Sequence, residues 1–166
     1  MGALFLSGEE DSRTITHRQC ALDMFCLLDH LGIKRCRAIG LSMGGNILLH
    51  MATSQPDRIE AMVAVSATLY FPEQAREIMR QVPAPADQPA SEWETMRKRH
   101  KLGDEQIDRD PLYPVEMAVE MYRSIPRAAL WVVPNGGHGP VFFEAAGQFA
   151  EMALAFFYAQ QHKSLK

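Results

Sequence analysis

The sequence predicts a single α/β domain, residues 1–166, with a short, mainly parallel sheet. Three observations carry that expectation. Segments with helical apolar spacing alternate with short, wholly apolar, β-rich runs, as in strands buried on both faces. The chain has 166 residues, 47% hydrophobic and 22% charged, which suits one core. A serine between two glycines stands where an apolar run gives way to a helical one, in "AIGLSMGGN", Ala38 to Asn46.

The elements follow in order. "THRQCALDMFCLLDHLG" reads as a helix, with Thr16 as N-cap and Gly32 at the C′ position. Its apolar stripe is Ala21, Met24, Phe25, Leu28 and Leu31, at three- and four-residue spacing. "CRAIGLS" is a buried strand, "MGGNILLHMATS" a helix that ends at Gln55-Pro56, and "IEAMVAVSAT" a second buried strand. From Leu69 to Ile107 the chain turns polar and shows helix signals without a strand. "PEQAREIMRQ" starts a helix with Pro72 in its first turn, "VPAPADQPA" is a loop, and Ser91 with Glu94 forms a capping box. Residues 69–107 thus read as a helical, cap-like insertion. "YPVEMAVEMYRSIP" is a helix between Pro114 and Pro126, "AALWVVP" a third buried strand, "NGGHGP" a glycine-rich loop, and "VFFEAAGQFAEMALAFFYAQQ" a long C-terminal helix. "GALFLS" near the start can add a fourth strand, so three to four are expected.

Composition excludes several function classes. A net charge of −3 disfavours nucleic acid and anionic membranes as partners, and the run "RKRHK" reads as a solvated helix face. No apolar run is long enough to span a bilayer, and the first ten residues lack the basic flank of a signal peptide. Cys20, Cys26 and Cys36 form neither a CxxC pair nor a Cys/His metal spacing. They fit buried thiols of a reducing compartment, so a cytoplasmic chain without metal or cofactor is expected.

Gly40-Leu41-Ser42-Met43-Gly44 matches G-x-S-x-G between a strand and a helix. A nucleophile on so sharp a turn has strained backbone and an outward hydroxyl. The residues two before and two after it crowd together, so Gly40 and Gly44 suit those places. The helix that follows directs its positive end and free N–H groups, including that of Met43, at a developing oxyanion. A serine hydroxyl needs a base. Of six histidines, His138 stands in a loop beyond a strand end and downstream of the serine. The imidazole in turn needs a carboxylate, and "DRDPLYP" offers Asp108 and Asp110. A bland reading stands beside each: a turn serine, a surface histidine, and an Asp-Pro turn at a helix entry.

These stretches resemble the α/β-hydrolase superfamily. "RAIGLSMGGNILLHMA" looks like its elbow strand and following helix, and "PDRIEAMVAVSA" like its next strand. "DRDPLYPVEMAVEMYRSIPRAALWVVPNGGHGPVF" looks like its acid loop, last strand and histidine loop. The resemblance implies a reduced three-layer sandwich with a cap remnant, in which Ser42 is the nucleophile, His138 the base, and Asp110 the acid with Asp108 as its alternative. It implies a serine hydrolase acting on an ester or related acyl substrate, a small molecule, without cofactor or metal. The family pattern also marks what this chain lacks: the strands before the first helix, the His-Gly loop that supplies a second oxyanion N–H, and the strand before the acid loop. It therefore looks truncated at its N-terminus and shortened internally. A catalytically impaired fragment that binds a ligand or partner is the alternative reading. The exposed sheet edge is expected to be covered by "GALFLS" or by a second copy, in a homo-oligomer.

Overall fold

The computed structural model describes residues 15–80, 110, 112–134, 136–142 and 145–163. "GALFLS", Asp108 and most of the expected cap, residues 81–107, lie outside the described residues.

Helix α1 (His17–His30) starts at Thr16, whose Oγ1 accepts the Gln19 N–H at 3.1 Å. It ends before Gly32, which takes a left-handed φ of +68°. Strand β1 (Cys36–Leu41) leads into helix α2 (Met43–Ser54), and a 3-10 turn at Pro56–Arg58 enters strand β2 (Ile59–Val65). The two strands are parallel, paired from Cys36 with Ile59 to Leu41 with Val65. This β-α-β unit places the core between helices and sheet. Ala21 and Phe25 of α1 meet Leu48 and Met51 of α2, with Ala38, Ile59 and Met62 against them. The apolar stripe of α1 is narrower than its spacing suggests: Met24 and Leu31 are exposed, as is Cys26.

Arg58 ties the end of α1 to the sheet. Its guanidinium donates to the carbonyls of Lys34 at 2.6 Å and Ile33 at 3.1 Å, bonds Asp29 at 2.7 Å, and lies over the Phe25 ring. Beyond β2 come helices α3 (Glu73–Arg80), α4 (Val115–Ser124) and α5 (Ala146–Lys163). None of the described helices is long and apolar enough to cross a membrane.

The sheet has two strands among the described residues, not three or four. Ala128–Val133 carries no strand pairing. A cavity of about 400 Å³ is lined both by Ala61, Val63 and Val65 of β2 and by Leu130 and Val132 of this segment. A ladder needs neighbouring strands within about 5 Å. The sequence between β2 and Asp110 holds no further apolar β-rich run. The segment is held from the side instead, by Trp131 stacked on Phe149 of α5 at 6.4 Å.

Candidate active site

Ser42 occupies the one-residue hinge between β1 and α2. Its φ of 52° and ψ of −118° are rare for a residue with a side chain, and such strain concentrates at functional turns. The hinge is held from both sides: the Ser42 N–H bonds the Val65 carbonyl at 2.8 Å, and the Ser42 carbonyl accepts the Asn46 N–H at 3.1 Å. Ser42 sits at the N-cap of α2, yet its side chain makes no capping bond. The hydroxyl therefore points elsewhere, and the N–H of Met43 is among the first-turn donors without an intrahelical acceptor.

Packing explains the glycines around it. A Cβ on Gly40 would overlap the Gly44 carbonyl oxygen and come within 2.6 Å of the Gly45 nitrogen. A Cβ on Gly45 would meet the Ala67 Cβ at 2.6 Å, whereas one on Gly44 meets nothing within 4 Å. The backbone of residue 44 crowds Gly40, and the side-chain position that must stay empty on the helix is 45.

His138 reaches Ser42 from the loop after Val133. Its Nε2 lies 2.9 Å from Ser42 Oγ, and its Nδ1 lies 2.8 Å from Asp110 Oδ2. An ionised carboxylate only accepts, so Nδ1 carries the proton and Nε2 is left as the acceptor for the serine hydroxyl. The side chains are 14% and 10% exposed, so the ion-dipole contacts are largely shielded from water. Asp110 needs no strand behind it to be held. Its Oδ1 accepts the N–H groups of Leu112 at 2.8 Å and Tyr113 at 3.0 Å, a turn that orients Oδ2 toward His138.

Tyr113 is the residue that the sequence pattern did not single out. It is buried, its ring lies 5.4 Å from that of His138, and it packs edge-on against Phe71 at 5.7 Å. Burial raises the pKa of its hydroxyl, the polar side chains of Asn46 and Ser42 partly offset the rise, and the nearby Asp110 charge adds to it. Asn46 is itself buried, and its Oδ1 accepts the Thr68 N–H at 2.9 Å. An aromatic three residues after an acid is a faint sequence signal, since spacing alone does not say where the ring points.

With this geometry in view, the sequence can be set beside known proteins. The sequence profile described as alpha/beta hydrolase fold matches residues 7–100, more than half of the chain. The chain belongs to the alpha/beta hydrolase fold family. The matched span contains Ser42 and stops before Asp110 and His138. Among curated relatives, a protein bearing the name carbamate hydrolase RutD, from Pseudomonas savastanoi pv. phaseolicola, is 36% identical over 50 residues. That stretch is 30% of this chain and 19% of the relative. Homoserine O-acetyltransferase of Thermus thermophilus is 37% identical over 57 residues, 34% of this chain and 15% of that enzyme. The matched stretches thus span less than a fifth of either relative's length. In three dimensions the meta-cleavage product hydrolase CumD superposes with a TM-score of 0.69 at 16% identity, covering 93% of this chain and 76% of CumD. A second CumD structure, from Pseudomonas fluorescens, gives the same TM-score at 15% identity and the same coverage. At that identity the likeness shows the fold. The reduced α/β-hydrolase architecture expected from the sequence stands on these matches together with the parallel pair β1–β2.

Proposed function

We propose that the chain is a serine hydrolase that cleaves an ester or related acyl substrate through Ser42, His138 and Asp110. The observation that carries the reading is the unbroken line from Ser42 Oγ through both ring nitrogens of His138 to Asp110 Oδ2, at 2.9 and 2.8 Å. Membership of the alpha/beta hydrolase fold family supports hydrolytic chemistry.

In the proposed reaction Ser42 Oγ attacks the acyl carbon while His138 Nε2 takes its proton. Asp110 holds the Nδ1 proton in place and stabilises the imidazolium. The carbonyl electron pair moves onto oxygen, and the Met43 N–H with the positive end of α2 bonds that oxyanion. Collapse expels the alcohol, which receives its proton from Nε2. Water then attacks the acyl-serine by the same route and restores the hydroxyl. The free thiols of Cys20, Cys26 and Cys36 support a reducing, cytoplasmic setting.

The test is a fluorophosphonate probe followed by p-nitrophenyl acetate turnover. Wild type is expected to label and turn over, Ser42→Ala to do neither, and His138→Ala to lose turnover by about 10³-fold or more. A folded wild type that neither labels nor turns over would leave the alternative, a ligand- or partner-binding module without catalysis.

A further inference from the structure

His138 is held at its two ring nitrogens, by Asp110 at 2.8 Å and by Ser42 at 2.9 Å. Two such lengths leave one freedom. The ring can swing about the line from Asp110 Oδ2 to Ser42 Oγ without changing either of them. The backbone restrains that swing little, because His138 stands between Gly137, at a left-handed φ of 52°, and Gly139. The tilt matters to the proposed chemistry. It moves Nε2 around Oγ, and so decides which side of the serine oxygen is left for the acyl carbon and whether Nε2 reaches the leaving alcohol. A third contact off that line is needed, and the Tyr113 ring supplies it. The two centroids are 5.4 Å apart and the planes 58°, within the range of packed aromatic pairs. The wall is itself braced. Tyr113 is buried, its N–H bonds Asp110 Oδ1 at 3.0 Å, and Phe71 meets its ring edge-on at 5.7 Å. Phe71 follows the turn after β2, which Thr68 ties to α2 through its N–H on Asn46 Oδ1 at 2.9 Å. The contacts thus start on the helix that Ser42 begins and return to the base of Ser42.

We propose that Tyr113 is a positioning residue for the base: its ring sets the tilt of His138 between Ser42 and Asp110. The inference rests on the serine-hydrolase reading above. Tyr113 acts through the imidazole and takes no proton. Its backbone N–H orients the acid while its ring aligns the base, so one residue of the acid loop serves both partners of the serine. The contact belongs to the ring, and the hydroxyl is not required for it. Without the ring, the glycine-flanked histidine swings into the vacated volume. Nε2 then spends part of its time on the wrong side of Oγ, and proton transfer slows while substrate binding is unchanged.

Tyr113→Leu removes the aromatic wall and keeps the backbone N–H on Asp110. The expected result is a fall in kcat for p-nitrophenyl acetate of about 10²-fold, with KM within about threefold of wild type. Turnover is counted per serine titrated with fluorophosphonate, since a merely structural loss would lower the number of sites and leave kcat per site unchanged. Tyr113→Phe restores the ring and should bring kcat back to within about threefold of wild type. A Tyr113→Leu that keeps kcat per site within about threefold, or a Tyr113→Phe as impaired as Tyr113→Leu, overturns the positioning role and leaves the hydrolase reading standing. A wild type with no Ser42-dependent turnover overturns both. Nuclear Overhauser spectra of wild type give a readout that does not depend on a variant's folding. Contacts are expected between the ring protons of Tyr113 and those of His138, and their absence overturns the proposal.

Discussion

Replacing Asp110 by asparagine separates what this side chain does for the fold from what it does for the proposed chemistry. Oδ1 accepts two backbone N–H groups, from Leu112 and Tyr113, and Oδ2 accepts the His138 Nδ1 proton. An asparagine can keep only one orientation there. Its oxygen must stay on the two N–H groups, because turning it round would set an NH₂ against two donors. The amide NH₂ then faces His138, and Nδ1 must become an acceptor. Its proton moves to Nε2, which can no longer take the proton of Ser42. The expected outcome is a kcat about 10³–10⁴-fold lower, or about 4–5.5 kcal/mol of barrier at ~1.36 kcal/mol per tenfold. Stability should change by less than about 1 kcal/mol, because the backbone bonds survive. Asp110→Ala strips both N–H groups of their acceptor in a largely buried turn, at about 1–3 kcal/mol for each group left unsatisfied. Urea midpoints should therefore separate the two variants by about 2 kcal/mol or more, although both are inactive. Long-range ¹H–¹⁵N correlation of the imidazole should show the tautomer change in Asp110→Asn directly. Asp110→Asn with kcat within tenfold of wild type, or with the same stability loss as Asp110→Ala, would refute this account of the site.

Three further outcomes follow from the packing. Gly40→Ala should cost about 1–3 kcal/mol by urea unfolding, because its Cβ overlaps the Gly44 carbonyl; Gly44→Ala should be neutral or stabilising by up to about 1 kcal/mol, since its Cβ meets nothing in a helix. Equal losses at the two positions would contradict the elbow packing. Arg58→Ala should cost about 1–2 kcal/mol through the lost bonds to the Lys34 and Ile33 carbonyls, against less than about 0.5 kcal/mol for Asp29→Ala, whose carboxylate is largely exposed; chemical denaturation of both variants checks the ratio. The raised pKa of Tyr113 means that its neutral form is favoured in the folded state, so its contribution is complete below the ordinary value of about 10 and is lost as pH rises through the raised value. The stability of wild type relative to Tyr113→Phe should therefore fall as pH rises above about 10, and a difference flat through that rise would contradict the burial of the hydroxyl.

The parts of the fold that depend on short spacings are legible in the chain alone. Thr16 caps α1 because a hydroxyl three residues before an N–H meets it wherever a helix starts, and β1, α2 and β2 follow from the switch between apolar run and helical period. The strained hinge at Ser42 and the crowding at Gly40 are properties of one strand-to-helix turn, legible in five residues. The order serine, aspartate, histidine also pointed to the three side chains that the fold brings together. The packing of the whole chain sets how they meet. The bond from His138 to Asp110 spans 28 residues and that to Ser42 spans 96, and no local rule sets such distances. It also decided that Asp110 is held by its own turn in place of a strand, that Ala128–Val133 shares a cavity with β2, and that position 45 rather than 44 abuts Ala67. Tyr113 belongs to the same class. Its ring packs against Phe71 and His138, which come from separate stretches of the chain and converge only when the acid loop closes over the elbow. Local structure is encoded within a turn or two, whereas the environment of a hydroxyl depends on every segment that packs around it.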